Sequence, residues 1–285
     1  MQFTQLQLHD ELPLTCSRKG TCCHGNLVRL NPYELARLSD EKGLSTREFA
    51  ENFCDSKGLI LRFNGPKDER NLKACNQYVN GFGCSVHRSR PLACRLFPLG
   101  RTIQNGVGSY MFQGATFPCF NGCEEVKQLP KMSVEYYLKG QETKDFETAQ
   151  DAYLELLQNL ADVAFELFLD TDLAASGEKQ TLLAWTELGN CSLDKLIDAI
   201  EKDWLDVLLY PELVVENESV ESFVEKHNAL LFEKIQRDFG HLTQLNDLHL
   251  ASVLMMRLAL IISHSIGANA KELMELWVQI AKGED

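Results

Sequence analysis

The chain has 285 residues, 45 % of them hydrophobic, and a formal net charge of −13, which is enough apolar material for one large core or two modest ones. The charge is uneven: residues 1–140 carry 18 Lys and Arg against 13 Asp and Glu, and the remainder carries 10 against 28. A strongly acidic half repels phosphate and the basic excess of the first part is slight, so nucleic acid is not an expected partner.

Met1 to Gly20 shows neither a basic start ahead of an apolar run nor a small-residue cleavage site. The expected location is the cytoplasm, where stable disulfides are rare. Asn31-Pro32-Tyr33-Glu34 supplies an N-cap, a proline for the first helical position and a carboxylate three residues after the cap, which predicts a helix to about Lys42. Ser45-Thr46-Arg47-Glu48 repeats that logic for a second helix reaching Cys54. Asn64-Gly65, Asn80-Gly81 and Asn105-Gly106 are turn dipeptides, and Arg101 to Phe112 reads as a hairpin around the last of them.

From about Ser133 the apolar residues fall at helical spacing. Tyr153, Leu156, Leu157, Leu160, Val163, Ala164, Leu167 and Phe168 share one face. Leu193, Leu196, Ile197, Ile200 and Trp204 follow Ser192 as a plausible cap, and Phe223, Val224, Leu230 and Leu231 continue less regularly. Leu248 to Ile266 is long enough for a membrane span, but Asp247, His249, Arg257 and His264 interrupt or flank it, so it reads as a buried core helix and no membrane is expected. Leu273, Leu276, Trp277 and Ile280 form a last amphipathic helix, with Gly283 as its stop. The expected fold is a small α+β cysteine-rich metal-binding region over residues 1–130, followed by an acidic all-α bundle of about five or six helices over 131–285.

Nine of the ten cysteines fall between Cys16 and Cys123, and all of these but Cys54 are clustered: Cys16, Cys22 and Cys23, then Cys75, Cys84 and Cys94, then Cys119 and Cys123. A tetrahedral ion or a cluster needs about four ligands from separate segments, and these groups supply them. Gly20, Gly25, Gly83 and Gly122 stand close by, where the backbone must bend near sulfur. The spacings match neither the usual zinc pattern nor the bacterial ferredoxin run. Few histidines and several arginines, Arg88, Arg90, Arg95 and Arg101, tilt the expectation toward an iron–sulfur cluster (4Fe–4S) over zinc, without deciding it. His24 and His87 read first as hydrogen-bonding histidines and second as ligands. Cys54 and Cys191 read as ordinary cysteines.

Gly83-Cys84-Ser85-Val86-His87-Arg88-Ser89-Arg90-Pro91-Leu92-Ala93-Cys94-Arg95-Leu96-Phe97-Pro98 resembles the signature of the YkgJ-type cysteine-cluster family, in which an Arg-Pro step precedes a Cys-Arg-x-Phe-Pro run. The Cys16 to Cys23 segment and the helix start at Asn31 are similar to the family's opening, and the resemblance covers about residues 14–125. Arg18 and Lys19 stand where that opening has a further cysteine. The resemblance implies a zinc- or iron-chelating domain with the eight clustered cysteines as candidate ligands. Because the family includes flagellin lysine N-methylases, it also implies an alternative, a metal-dependent modifying enzyme using S-adenosylmethionine. No glycine-rich fingerprint for that donor is present, and no C-x3-C-x2-C run.

Pro91 suits the start of a helix carrying Cys94 and Arg95, a structural role for this stretch. In the functional reading, Arg90 or Arg95 binds an anionic substrate or a cofactor carboxylate near the metal. The acidic second half reads first as a solvated surface and second as a recognition region for a basic, lysine-rich protein.

Overall fold

The computed structural model describes residues 4–12, 20–104, 107–112, 128, 130–169, 178–216 and 218–283. Short elements come first: β1 (Thr4–Leu6), β2 (Glu11–Leu12), α1 (Pro32–Lys42), α2 (Thr46–Phe53), β3 (Cys54–Asp55), β4 (Ile60–Leu61), β5 (Tyr78–Val79), β6 (Gly83–Cys84), α3 (Leu92–Leu96), β7 (Leu99–Gln104), β8 (Val107–Phe112) and β9 (Met132–Ser133). Helices then follow: α4 (Val134–Gln141), α5 (Lys144–Leu169), α6 (Glu178–Gly189), α7 (Leu193–Asp198), α8 (Lys202–Leu209), α9 (Val220–Phe239), α10 (Leu245–Ser265) and α11 (Ala270–Ala281). The strand-containing first part and the helical second part are as expected, but the described residues after Ser133 form eight helices rather than five or six.

Contacts divide the chain into two compact units, neither a single run of sequence. One comprises Met1–Val28, Glu41–Gly43 and Leu61–Glu147, the other Arg29–Asp40, Leu44–Ile60 and Thr148–Asp285. Most of α1 and all of α2 therefore belong to the compact unit that holds the long helices.

In the first unit β8 lies between β1 and β7 in an antiparallel sheet, with Tyr110 opposite both Leu6 and Arg101. The expected hairpin is present and starts at Leu99, and its Asn105-Gly106 turn lies outside the described residues. A second hairpin pairs Tyr78 with Cys84 and Val79 with Gly83, and Gly81 at its tip has a φ of 76°. Asn64-Gly65 is a bend rather than a turn. The chain reverses further on, where the Asp68 carboxylate accepts the N–H groups of Arg70 and Leu72 at 3.0 Å each.

In the second unit the caps act as the local residues dictate. Glu34 N–H donates to Asn31 Oδ1 at 2.9 Å and Asn31 N–H to Glu34 Oε2 at 3.1 Å, a reciprocal pair repeated by Ser45 and Glu48. Along α5 the residues Tyr153, Leu156, Leu157, Leu160, Ala161, Ala164 and Phe168 are buried. Trp185 of α6 lies fully buried against Phe165 and Phe168. Helix α10 is long and apolar enough to cross a membrane by length and composition, and here it is a core helix, with Leu258 to Ile262 fully buried.

Two helical expectations need correction. The face read from Leu193 to Trp204 is broken, because the chain tightens at Ile200, whose N–H reaches back to Ile197 O at 3.1 Å, and α8 starts anew at Lys202. Trp204 thus belongs to a separate helix. On α11 the buried residues are Ala270, Met274, Trp277 and Val278, whereas Leu276 and Ile280 are 50 % and 53 % exposed. Leu276 and Ile280 are neighbours on a helix surface, so an apolar pair can mark a solvent-facing stripe as readily as a core one.

Candidate metal centre

Three local structures, all within the first unit, bring cysteines together. Gly20 opens the first with a φ of 79°, and a Cβ there would stand 2.3 Å from the Tyr78 ring, so glycine is required twice over. A 3-10 turn, Thr21–Cys23, follows, and Cys23 N–H donates to Gly20 O at 2.9 Å. His24 Nδ1–H donates to the same carbonyl at 2.9 Å, and its buried ring packs edge-on against Tyr78. His24 thus holds the turn as a hydrogen-bonding histidine.

The turn is stitched to the segment carrying Cys75. Gly25 N–H donates to Lys73 O at 3.0 Å, and Cys75 N–H donates to Cys23 O at 2.7 Å. The β5–β6 hairpin then returns Cys84 toward Cys75, supported by Ser85 N–H on Gln77 O at 2.8 Å. Finally Pro91 stands at the N-cap of α3, and its carbonyl accepts from Cys94 N–H at 2.9 Å.

The result is one cavity of about 210 Å³ lined by Cys22, Cys23, Cys75, Cys84 and Cys94. Apolar side chains, Leu27, Val28, Leu61, Phe63, Val86 and Phe97, form much of the remaining wall, together with Tyr78, His87 and Arg90. All five thiols are half-buried, and Cys54 and Cys191 are absent from the lining. Cys16, Cys119 and Cys123 lie outside the described residues. Among the described residues no three His, Cys, Asp or Glu side chains are grouped so as to hold an ion by themselves.

The electrostatics of the cavity disfavour bare thiolates. The Cys23 thiol is pushed far up by its hydrogen bond with Cys22, then by burial and by the nearby Cys22, Cys94 and Cys84 sulfurs. Burial pushes Cys75 up to about 11, with Cys84 adding to it. Cys84 is also raised, by burial first, while the Val86 N–H and the Arg90 guanidinium pull the other way and Glu41 and Cys22 oppose them. Five mutually repelling sulfurs in a low-dielectric wall suit a soft cation, which replaces their protons and neutralises their charge. The donor type, soft sulfur, fits zinc or an iron–sulfur cluster, while the described side chains are not by themselves grouped to close around one.

Residues 15–111 match the CxxCxxCC family model, described as a putative zinc- or iron-chelating domain. This stretch is a cysteine-cluster domain. No curated protein and no solved structure is significantly similar to the chain. The match takes in Cys16 and the five pocket cysteines, and Cys119 and Cys123 follow it.

Within the cysteine-cluster domain the two candidate arginines part company. Arg90 lines the cavity, and its Nη1 donates to His87 O at 2.6 Å and faces His87 Nδ1 at 3.2 Å. A guanidinium only donates, so His87 Nδ1 accepts and its proton sits on Nε2. Arg95 is not part of the lining. It is 2 % exposed, and its guanidinium donates to the carbonyls of Arg88, Arg90 and Gln141 while lying 3.9 Å from the Phe146 ring centre. Its candidate role as a ligand-binding cation gives way to a structural one, because a buried cation surrounded by carbonyl acceptors presents no free donor face to the cavity.

Tyr78, Glu41 and Gln141 were not singled out by sequence reasoning. Tyr78 roofs Gly20, and Glu41 accepts Ser89 N–H at 2.8 Å while acting on Cys84. None carries a local signal, since each acts on a segment distant in sequence.

Proposed function

We propose that the chain is a metal-binding protein whose cysteine-cluster domain chelates zinc or an iron–sulfur cluster in a reducing cytoplasm. The observation that carries this reading is the convergence of Cys22, Cys23, Cys75, Cys84 and Cys94 on one cavity. These five, completed by ligands among Cys16, Cys119 and Cys123, would hold the centre, which supplies a compensating positive charge and, if it contains iron, an electron-transfer site. The apolar wall limits water, and the Arg90 charge, which pulls the Cys84 thiol down, stabilises thiolate sulfur. The acidic helices would then serve as a recognition region for a basic, lysine-rich protein.

Metal and acid-labile sulfide content of the full chain purified without oxygen tests the reading. Iron with matching sulfide identifies a cluster, zinc without sulfide identifies a zinc site, and metal-free protein that takes up neither contradicts chelation. Enrichment of basic proteins by the wild-type chain, lost at raised salt, is expected for the recognition region, and no enrichment would remove that part of the reading. No observation in the described pocket favours a methyl-donor site, and S-adenosylmethionine has no part in this reading.

A further inference from the structure

The segment between Cys84 and Cys94 contains little regular structure, yet it must hold two cavity cysteines in place. Its path is set by two arginines that meet at the same point. Arg95 bonds this segment to itself through Nε on Arg90 O at 2.9 Å and through Nη2 on Arg88 O. Its remaining nitrogen, Nη1, donates to Gln141 O at 2.8 Å and more weakly to Glu142 O at 3.4 Å. Those two carbonyls belong to the C-terminal turn of α4, where helix carbonyls lack intrahelical partners and the dipole favours a cation. Arg90 reaches the same residue by its side chain, Nη2 donating to Gln141 Oε1 at 2.7 Å, while its Nη1 holds His87 in the cavity wall.

We infer that Arg90 and Arg95 are positioning residues of the cysteine cavity, acting through Gln141 and the last turn of α4, so that a helix beyond the matched stretch is part of the metal centre. The inference rests on the chelation reading. Arg95 sets the backbone on which Cys94 stands, Arg90 sets His87, and Gln141 ties both to α4. Lysine cannot replace Arg95, because a single ammonium cannot reach carbonyls on both sides of the planar fork.

Cobalt(II) titrated into the reduced full chain is the test, because thiolate-to-cobalt absorption reports the number of sulfur ligands and the visible bands report their geometry. Wild type, Arg95→Lys, Gln141→Ala and Gln141→Glu are compared, with the melting of each metal-free chain measured alongside. Arg95→Lys and Gln141→Ala are expected to bind at least about tenfold more weakly with shifted visible bands. Gln141→Glu keeps an acceptor oxygen for Arg90 and is expected to restore the wild-type bands. Gln141→Ala removes only the side-chain acceptor of Arg90 and keeps the carbonyl that Arg95 uses, so it tests the Arg90 contact even if Arg95→Lys fails to fold. Wild-type affinity and bands in Gln141→Ala would overturn the inference for Arg90, and the same result in a folded Arg95→Lys chain would overturn it for Arg95, each leaving chelation intact. A wild-type chain that develops no thiolate absorption would overturn the chelation reading itself, and the inference with it.

Discussion

Around the cysteine cavity the regular elements are two-residue strands and a five-residue helix, whereas α5, which enters the second unit at Thr148, and α10 within it run for 26 and 21 residues. The first arrangement is held by single backbone bonds, glycine turns and the carbonyls that surround Arg95. The second is held by continuous apolar faces. The difference teaches that the candidate metal site sits where the chain has least core of its own, so a bound metal would supply rigidity there that packing supplies elsewhere.

The sharpest way to break that contrast is to damage each region separately. Trp185→Ala should cost about 3–5 kcal/mol, because it empties a fully buried site against Phe165 and Phe168. Chemical denaturation followed by helix signal measures it, and a cost under about 1 kcal/mol would show that this core is not close-packed. Chelator added to metal-loaded chain should instead speed amide exchange at Cys23, Cys75 and Ser85 by about tenfold or more, leaving α10 protected. Equal loss of protection in both places would remove the distinction.

A pH series separates the regions again. His227 is pushed down to about 4 by burial, and its ring accepts from Tyr153 OH and donates to Val207 O, each at 2.9 Å. In the unfolded chain it titrates near 6.5, so between pH 6.5 and about 4 the unfolded state binds a proton that the folded state does not. Its contribution is fully present above pH 6.5 and declines by about 3 kcal/mol as pH falls through that window. Denaturation midpoints should follow this slope, and His227→Gln should flatten it. An unchanged slope in the variant would assign the acid sensitivity to other groups. The smallest expected effect is at a helix start, where Ser45→Ala removes the acceptor for Glu48 N–H and should cost about 1 kcal/mol.

Much of this was legible wherever the cause is local. Caps at Asn31 and Ser45 act within four residues, and the turn dipeptide Asn80-Gly81 marks its hairpin because left-handed backbone favours glycine. The clustering of cysteines in sequence was also legible: five of the clustered eight line the cavity, and Cys54 and Cys191 do not. What could not be read depends on distant partners. Arg95 looks like a candidate anion binder until Gln141 and Glu142, 46 and 47 residues away, turn out to supply its acceptors. The grouping of α1 and α2 with the long helices has the same origin, because the caps that make a helix say nothing about which core it joins.

The central claim is that the cavity cysteines hold the metal and that Cys54 and Cys191 do not. Zinc, iron and sulfide per chain should be measured after anaerobic purification of wild type and of Cys22→Ser, Cys84→Ser, Cys94→Ser, Cys54→Ser and Cys191→Ser. The account predicts bound metal in the wild type that falls sharply in the first three variants and stays at the wild-type level in the last two. Metal that survives all three cavity substitutions, or is lost equally in Cys54→Ser and Cys191→Ser, would contradict it.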